Sequence, residues 1–374
     1  MRQFPPAQPG MIESEIDTPA LILDLDAFEF NLDKMSSIVA ATDVKLRPHA
    51  KTHKSPVIAQ LQMRRGAVGQ CVQKTAEAEA LAWGGVQDIL VTNQVVDPRK
   101  LRRLAALSSI AKIAVCVDSA RHIELLESAA RDAGVRISTL IEIDVGSGRC
   151  GVAPGSEAID LAKRVAGSRN LAFDGLQAYN GRAQHLRSAS ERQEAISKAI
   201  AACEQTVEGL VRARIPCRIV SGGGTGTFEL EAASGVYTEL QAGSYCFMDL
   251  DYAENKQEDG DPFTTFQHAL FVLASVMSTP RPGLSVLDAG HKAVAIERGM
   301  PGVWQQAAMR ISSAADEHAR LEYPSEVAGP ALGDKLRLVP RHCDPTIDRF
   351  DWYVGVRAGR VECVWPISAR GSMQ

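Results

Sequence analysis

The sequence lacks several features that define whole classes of protein. No apolar run approaches the roughly 20 residues that a membrane-spanning helix needs. Basic residues are not in excess, since there are 41 Lys and Arg against 45 Asp and Glu, and the formal net charge is −4. Such a charge balance gives no basic surface for nucleic acid or for an anionic membrane. We therefore expect neither a nucleic-acid partner nor a membrane partner.

Paired cysteines and a secretion signal are also missing. No Cys-x-x-Cys pair occurs, and the eight cysteines are scattered over positions 71, 116, 150, 203, 217, 246, 343 and 363. This pattern is typical of buried thiols in a reducing compartment rather than of a disulfide framework. Within 1–10, prolines stand where a signal peptide would carry its apolar segment, so we expect a cytoplasmic protein.

A regular alternation of strand-like and helix-like segments fills the first two thirds of the 374-residue chain. A typical helical segment is Thr75–Trp83, which consists of good helix formers and is followed by two glycines. The β-branched, apolar runs lie at 44–49, 67–72, 88–93, 112–117, 138–144, 172–178, 217–221 and 237–245. Eight such strand–helix units predict an α/β fold with a (β/α)8 TIM-type barrel rather than an open doubly wound sheet.

The pattern changes after about residue 262, where strand-like runs are joined by Gly, Pro and Asp turns without a long helix. These runs lie at 268–279, 284–288, 335–342, 352–357 and 361–365. We predict a barrel domain at 26–261 and a C-terminal β domain at 262–374. The N-terminal segment 1–25 contains the strand-like run 18–25 and is expected to pack with the β domain.

Polar residues follow the predicted barrel strands, and barrels carry their functional residues at the carboxyl ends of strands. Lys51 lies where the first strand gives way to a helix, and a lysine there can form a Schiff base with pyridoxal phosphate. By itself, this run favours the interpretation that Lys51 is one of many solvated lysines, and only the rest of the chain reverses that preference. The other residues at strand ends are His49, Gln73, Asn93, the run 144–151, the run 177–181 and His185.

Two glycine-containing runs follow the seventh and eighth strands, at 221–226 and 241–245. Glycines let backbone N–H groups approach an anion, and barrels commonly bind phosphate at these two loops. The run at 221–226 lacks the Lys-Ser/Thr ending of a nucleotide P-loop. The two runs therefore predict a phosphate site that is not a P-loop.

A possible metal site lies in the predicted β domain. On a continuous strand His342 and Asp344 would point to the same face, so that both could bind one cation, while Cys343 would point to the opposite face. An imidazole with a carboxylate suits Mn²⁺ or Mg²⁺ better than a thiolate-rich zinc site. A zinc site with His342 and Cys343 stays open if the strand is bent.

Together these motifs resemble the metal-activated, pyridoxal phosphate-dependent D-threonine aldolase family, with the greatest likeness to its 3-hydroxy-D-aspartate aldolases. The resemblance covers nearly the whole chain. It includes Pro-His-Ala-Lys-Thr-His-Lys at 48–54, Gly-Arg-Cys-Gly-Val at 148–152, the glycine loops and His-Cys-Asp-Pro-Thr at 342–346. It implies an alanine-racemase-like barrel with a β domain, in a homodimer, that cleaves β-hydroxy-D-amino acids to glycine and an aldehyde.

The resemblance also implies residue roles. Lys51 is expected to bind pyridoxal phosphate covalently, and His185 matches the proposed catalytic histidine. His342 and Asp344 are the expected metal ligands. The remaining cofactor-binding residues are expected to be Gln73, Arg149, Tyr179, Thr225, Gly226, Gly243 and Ser244.

Three other functions remain open on this scaffold. A D-serine or D-threo-3-hydroxyaspartate dehydratase would use the metal to remove hydroxide, and a thiolate ligand with zinc would favour it. A racemase needs bases on both faces of Cα and has no use for a His-x-Asp pair. A non-enzymatic pyridoxal phosphate carrier would need neither the metal pair nor the extra β domain.

Overall fold

The computed structural model describes residues 4–374, in which strands alternate with helices before strands predominate. The first nine strands are β1 Ala20–Asp24, β2 Lys45–Leu46, β3 Gln70–Val72, β4 Asp88–Val91, β5 Lys112–Val117, β6 Ile137–Glu142, β7 Leu171–Gln177, β8 Ile219–Gly222 and β9 Glu239–Leu240. The helices of this region are α1 Leu25–Ala40, α2 Pro56–Met63, α3 Thr75–Trp83, α4 Pro98–Leu107, α5 Ala120–Asp132, α6 Ser156–Ala166, α7 Ala189–Arg212, α8 Phe228–Ala232 and α9 Leu250–Ala253.

Strands β2 to β9 form one eight-stranded parallel sheet in the order β2-β9-β8-β7-β6-β5-β4-β3. The two ends of the sheet meet at the parallel bridge between His49 and Cys71. There Cys71 donates its N–H to the Pro48 carbonyl, and Ala50 donates its N–H to the Cys71 carbonyl, at 2.8 Å each. The predicted (β/α)8 barrel is confirmed.

Helix α4 is an example of a helix for which the sequence supplies both an N-cap and an apolar face. In α4 the Asp97 carboxylate accepts the N–H groups of Arg99 and Lys100, and Pro98 occupies the first turn, where its missing N–H costs nothing. Leu101 and Leu104 then bury against the strands. The last two barrel helices are much shorter, with five residues in α8 and four in α9.

The second sheet has nine strands and lies mostly in the C-terminal third. Its later strands are β10 Leu270–Arg281, β11 Leu284–Leu287, β12 Gly302–Val303, β13 Arg310–Ala314, β14 Ala319–Glu322, β15 Lys335–Val339, β16 Trp352–Arg357 and β17 Arg360–Pro366, and a short helix α10 occupies Cys343–Ile347. Strand β1 pairs with β10 in antiparallel and with β16 in parallel orientation. Strands β12 to β14 were not predicted, because β12 has only two residues and the runs of β13 and β14 are short and largely polar.

The β domain is fixed over the carboxyl end of the barrel by a shared apolar core. One cluster contains Leu240 and Tyr245 from the barrel and Val272 and Tyr353 from the second sheet. The Tyr353 hydroxyl also donates to the His53 carbonyl, at 2.7 Å, in the segment that carries Lys51. Within 4–374, no helix has the length and apolar character that a membrane crossing requires.

Candidate functional site

A cavity of about 330 Å³ lies between the carboxyl ends of the barrel strands and the β domain. Ten of the eleven predicted site residues line it: Lys51, Gln73, Arg149, Tyr179, His185, Thr225, Gly243, Ser244, His342 and Asp344. The tertiary structure therefore gathers residues that the chain separates by nearly 300 positions. Their individual roles stay predictions.

Lys51 lies in the loop after β2, and its ammonium group pairs with a residue of the β domain. Lys51 Nζ is 2.6 Å from Asp344 Oδ2. Burial lowers the pKa of Lys51, but the nearby Asp344 carboxylate and Tyr179 more than offset this, so that the pKa is raised. For Asp344, burial raises the pKa, but Lys51 and His342 lower it by more, so the carboxyl is held ionised.

The wall beside Lys51 is a neutral hydrogen-bonded group around His49. His49 is buried, and burial together with the positive charge of Lys51 lowers its pKa well below the ordinary value. His49 Nε2 lies 3.0 Å from Thr92 Oγ1 and 3.1 Å from Gln73 Nε2. Gln73 thus lines the cavity but is already bonded to His49 and Thr92.

The two glycine loops converge on one side of the cavity, where Gly224, Thr225, Gly243 and Ser244 line it. The Thr225 hydroxyl is buried and has no hydrogen-bond partner within the described residues. A Cβ on Gly243 would lie 2.7 Å from the His49 carbonyl oxygen, so only glycine fits there. An unpartnered hydroxyl beside close-packed glycine backbone is suited to an oxyanion such as phosphate.

Gly226 is the one predicted site residue that does not line this cavity. Its N–H donates to Gln184 Oε1 at 3.0 Å, and a Cβ on it would meet the Gln184 backbone. This amide is therefore not turned toward the cavity, and the neighbouring Gly224 lies there instead. The sequence could not distinguish these glycines, since the packing of Gln184 decides their orientation.

The predicted strand through 335–342 is wrong at its end. Strand β15 stops at Val339, and Pro340, which has no N–H, follows it. His342 is the N-cap of α10, and Asp344 lies in its first turn. Both side chains still line the cavity, but a helix start brings them there and not strand alternation.

The start of α10 is tied to the barrel by a buried carboxylate. Asp249 accepts the Cys343 N–H at 3.2 Å with one oxygen and the Tyr252 N–H at 3.0 Å with the other. Burial raises the pKa of Asp249 to about 7. This one side chain therefore caps both α9 and α10.

The predicted metal ligands would supply only part of the coordination shell of a cation. Asp344 Oδ1 is buried without a partner among the described residues, and His342 Nδ1 lies 2.6 Å from Glu297 Oε1. No group of three or more His, Cys, Asp or Glu side chains with metal-site geometry occurs in 4–374. Cys343 points into the interior, where its Sγ lies 3.6 Å from the Met248 carbonyl oxygen, and burial raises its pKa well above the ordinary value.

His185 has a carboxylate partner that sequence reasoning missed. His185 Nδ1 lies 2.7 Å from Asp251 Oδ2, and Asp251 also pairs with Arg187 and Arg298. Burial raises the pKa of Asp251, but hydrogen bonds from His185 and Arg187 lower it by more, so it stays ionised. The only signal in the sequence was the pair of aspartates at 249 and 251, a few residues beyond the last barrel strand.

Tyr179 and Arg149 lie on loops that are joined to each other. Ser147 Oγ donates to the Tyr179 carbonyl at 2.8 Å and accepts the Gly181 N–H at 2.9 Å. Burial raises the pKa of Tyr179, although Lys51 and Arg149 oppose this. Arg182, which the sequence did not single out, lies on the same loop and also lines the cavity.

Comparisons with known proteins agree with this arrangement. The family model of the alanine racemase N-terminal domain matches residues 23–251, and a serine dehydratase domain model matches 269–356. The chain is 46% identical to a 3-hydroxy-D-aspartate aldolase from Paracoccus denitrificans, with 98% of this chain and 95% of the relative covered. A D-threo-3-hydroxyaspartate dehydratase from Delftia sp. is 28% identical, with 94% of this chain and 97% of that protein covered.

A solved structure shows the same fold over the full length. The crystal structure of a D-threonine aldolase from Filomicrobium marinum superposes with a TM-score of 0.96 at 45% sequence identity. The match covers 99% of this chain and 100% of that chain. The similarity thus extends over the barrel, the β domain and the cavity between them.

Proposed function

The chain belongs to the family of D-threonine aldolases and 3-hydroxy-D-aspartate aldolases, and we propose that it cleaves β-hydroxy-D-amino acids to glycine and an aldehyde. The enzyme is a carbon–carbon lyase on an alanine-racemase-like fold. The observation that carries the proposal is the meeting of Lys51 and Asp344, 2.6 Å apart, in a cavity with an unpartnered Thr225 hydroxyl. One group is suited to a carbonyl cofactor, the second to a cation and the third to a phosphate.

The cofactor proposed is pyridoxal 5'-phosphate, which when bound supplies an electron-accepting ring that stabilises negative charge at Cα. Lys51 would hold it covalently, because Lys51 is the one lysine that lines the cavity. Thr225, Gly243 and Ser244 would hold the phosphate. Arg149 and Tyr179, on the joined loops after β6 and β7, would flank the ring.

A divalent cation is proposed at His342 and Asp344, where it would supply a Lewis acid for the β-hydroxyl. One imidazole and one carboxylate favour Mn²⁺ or Mg²⁺, with water or substrate completing the shell. The unpartnered Asp344 Oδ1 is available for this role. Since Cys343 is turned to Met248, a zinc site with a thiolate is disfavoured.

His185 is proposed as the general base. It would take the proton of the substrate's β-hydroxyl while the Cα–Cβ bond breaks and the carbonyl of the aldehyde forms. Asp251 holds the imidazole through Nδ1 and stabilises the positive charge that the ring gains. Cα then receives a proton to give glycine.

The dehydratase alternative predicts different products from the same substrates. Elimination would give a 2-oxo acid and ammonia, whereas aldol cleavage gives glycine and an aldehyde. The interior position of Cys343 and the cavity position of Asp344 favour aldol cleavage. A carrier without catalysis would show no turnover that a chelator could remove.

Two measurements test the proposal. Borohydride reduction of the cofactor-loaded protein, followed by peptide mapping, should label Lys51. Product analysis with D-threonine should find glycine and acetaldehyde in equal amounts. A label at another lysine, or 2-oxobutanoate as the main product, would overturn it.

The homodimer and the cytoplasmic location stay predictions. Sedimentation of the purified enzyme tests the homodimer.

A further inference from the structure

The cavity carries more positive charge than the proposed reaction needs for its cofactor. Its cationic side chains are Lys51, Arg149, Arg182 and Arg298, and the one carboxylate among its lining residues is Asp344. Under the proposed function, on which this inference rests, Lys51 and Arg149 serve the cofactor. Arg182 and Arg298 then remain to be explained.

Arg298 already has a carboxylate partner. Its guanidinium pairs with Asp251, and Nη1 also lies 3.0 Å from His185 Nδ1. Arg298 therefore belongs to the group that holds the proposed base. Unlike Arg182, it is therefore held by a carboxylate of the protein, although it shares Asp251 with Arg187.

Arg182 has no such partner. Within residues 4–374, no carboxylate lies within ion-pair distance of its guanidinium, although it borders a cavity rather than only bulk solvent. An arginine that faces a small-molecule site without a protein partner is suited to bind a carboxylate of the ligand, because its planar fork matches that geometry.

Arg182 lies against the loop after β6, and it is exposed while lining the cavity. Its guanidinium lies over Gly148, where a Cβ would come within 3.2 Å of Arg182 Nη2. Gly148 has φ +60°, a conformation that favours glycine, so that no side chain there displaces the arginine. Ser147 Oγ fixes the two loops by its bonds to Tyr179 and Gly181.

Arg182 is also close in the chain to the proposed base. It is the N-cap residue of the 3-10 helix Ala183–His185, so one short turn carries both the guanidinium and the imidazole. A group bonded to Cβ of the substrate lies next to the β-hydroxyl on which His185 acts. Since Arg182 lines the same cavity as His185, its guanidinium is a candidate partner for a carboxylate at this position.

We propose that Arg182 binds the carboxylate of an acidic β-substituent, and that the preferred substrates are 3-hydroxy-D-aspartate and related β-hydroxy-D-amino acids with an acidic side chain. Cleavage of 3-hydroxy-D-aspartate breaks its Cα–Cβ bond and yields glycine and glyoxylate. Arg182 is a specificity-determining residue, since D-threonine presents only a methyl group there.

The test compares two substrates in the wild type, Arg182→Gln and Arg182→Lys. Loss of a hydrogen bond to a charged group corresponds to roughly 10- to 100-fold, so kcat/KM for 3-hydroxy-D-aspartate should fall by that factor in Arg182→Gln, mainly through KM. D-Threonine should be little affected, and Arg182→Lys should recover part of the loss. Arg164→Gln, an exposed arginine on α6, is the control for the change in net charge.

A binding measurement separates this inference from the proposed function. D-Aspartate carries both carboxylates but no β-hydroxyl, so it cannot undergo the cleavage, and its binding can be followed by the absorbance of the cofactor. Arg182→Gln should weaken D-aspartate binding and leave D-alanine binding unchanged. An equal loss for both ligands would assign Arg182 to the α-carboxylate and overturn the inference, as would a wild-type preference for D-threonine. If the wild type cleaves neither substrate, the proposed function fails while the D-aspartate comparison still decides the role of Arg182.

Discussion

Lys51 Nζ lies 2.6 Å from Asp344 Oδ2, although 293 positions separate the two residues in the chain. Lys51 comes from the loop after the first barrel strand, and Asp344 comes from the first turn of α10 in the β domain. Their charges stabilise each other in a site where burial alone would disfavour both. The proposed cofactor lysine and a proposed metal ligand are therefore in direct contact in the folded protein.

Asp251 should control the proton transfer without touching the substrate. Asp251→Asn removes the negative charge that holds His185, and we expect kcat to fall by roughly 10²-fold or more while the cofactor is retained. Glu254→Gln is the matched control, since Glu254 pairs with Arg187 and Arg341 but not with His185. A wild-type rate in Asp251→Asn would remove the pair from the mechanism.

Substitutions of Asp344 and of Cys343 should differ sharply in their effect on the amount of bound metal. Asp344→Asn should lose the bound metal after dialysis, because its carboxylate faces the cavity. Cys343→Ala should keep the metal and lose about 1 kcal/mol of the free energy of unfolding, because its thiol fills interior space. Elemental analysis and thermal unfolding of both variants measure these effects. Loss of metal from Cys343→Ala would instead support a thiolate ligand.

Gly243 should tolerate no side chain. Gly243→Ala would place a Cβ 2.7 Å from the His49 carbonyl oxygen and 2.9 Å from Thr52 Oγ1, on both sides of Lys51. We expect a loss of about 1–3 kcal/mol in the free energy of unfolding and weaker retention of pyridoxal phosphate, measured by absorbance after dialysis. Gly167→Ala should change neither property, because a Cβ there makes only ordinary contacts. Full cofactor retention in Gly243→Ala would argue against the phosphate site.

Glu231 should make stability fall as the pH rises. Burial raises the pKa of Glu231 from its ordinary value of 4.5 to about 8, and Thr227, which donates to Oε1 at 2.9 Å, opposes this only in part. The folded state therefore holds the proton more tightly than the unfolded state, and the resulting stabilisation is present below pH 4.5 and is lost as the pH rises to about 8.

Glu231→Gln keeps the side chain neutral at every pH. Its Tm should match the wild type near pH 5 and exceed it by roughly 3 °C or more above pH 8. Glu204 is an exposed residue on α7, and the Tm of Glu204→Gln should match that of the wild type both near pH 5 and above pH 8. Parallel Tm curves for wild type and Glu231→Gln would show that Glu231 does not titrate in this range.

The barrel could be predicted because its signals are local. Helix α3 occupies Thr75–Trp83 as expected, and each predicted barrel strand overlaps an observed one. The predicted strand at 335–342 was too long, since Pro340 and the Asp249 cap begin a helix that no periodicity indicates. The order of motifs along the chain was sufficient to predict the family, which the comparisons confirm.

The sequence alone determined the alternation of strands and helices, the residues at the strand ends and the two glycine loops, because these depend on neighbours in the chain. Only the tertiary structure decided that Asp251 holds His185, that Gln184 takes the amide of Gly226 and that Arg182 faces the cavity without a carboxylate. Each of these depends on how side chains from distant segments pack and pair their charges, and spacing along the chain carries no information about that.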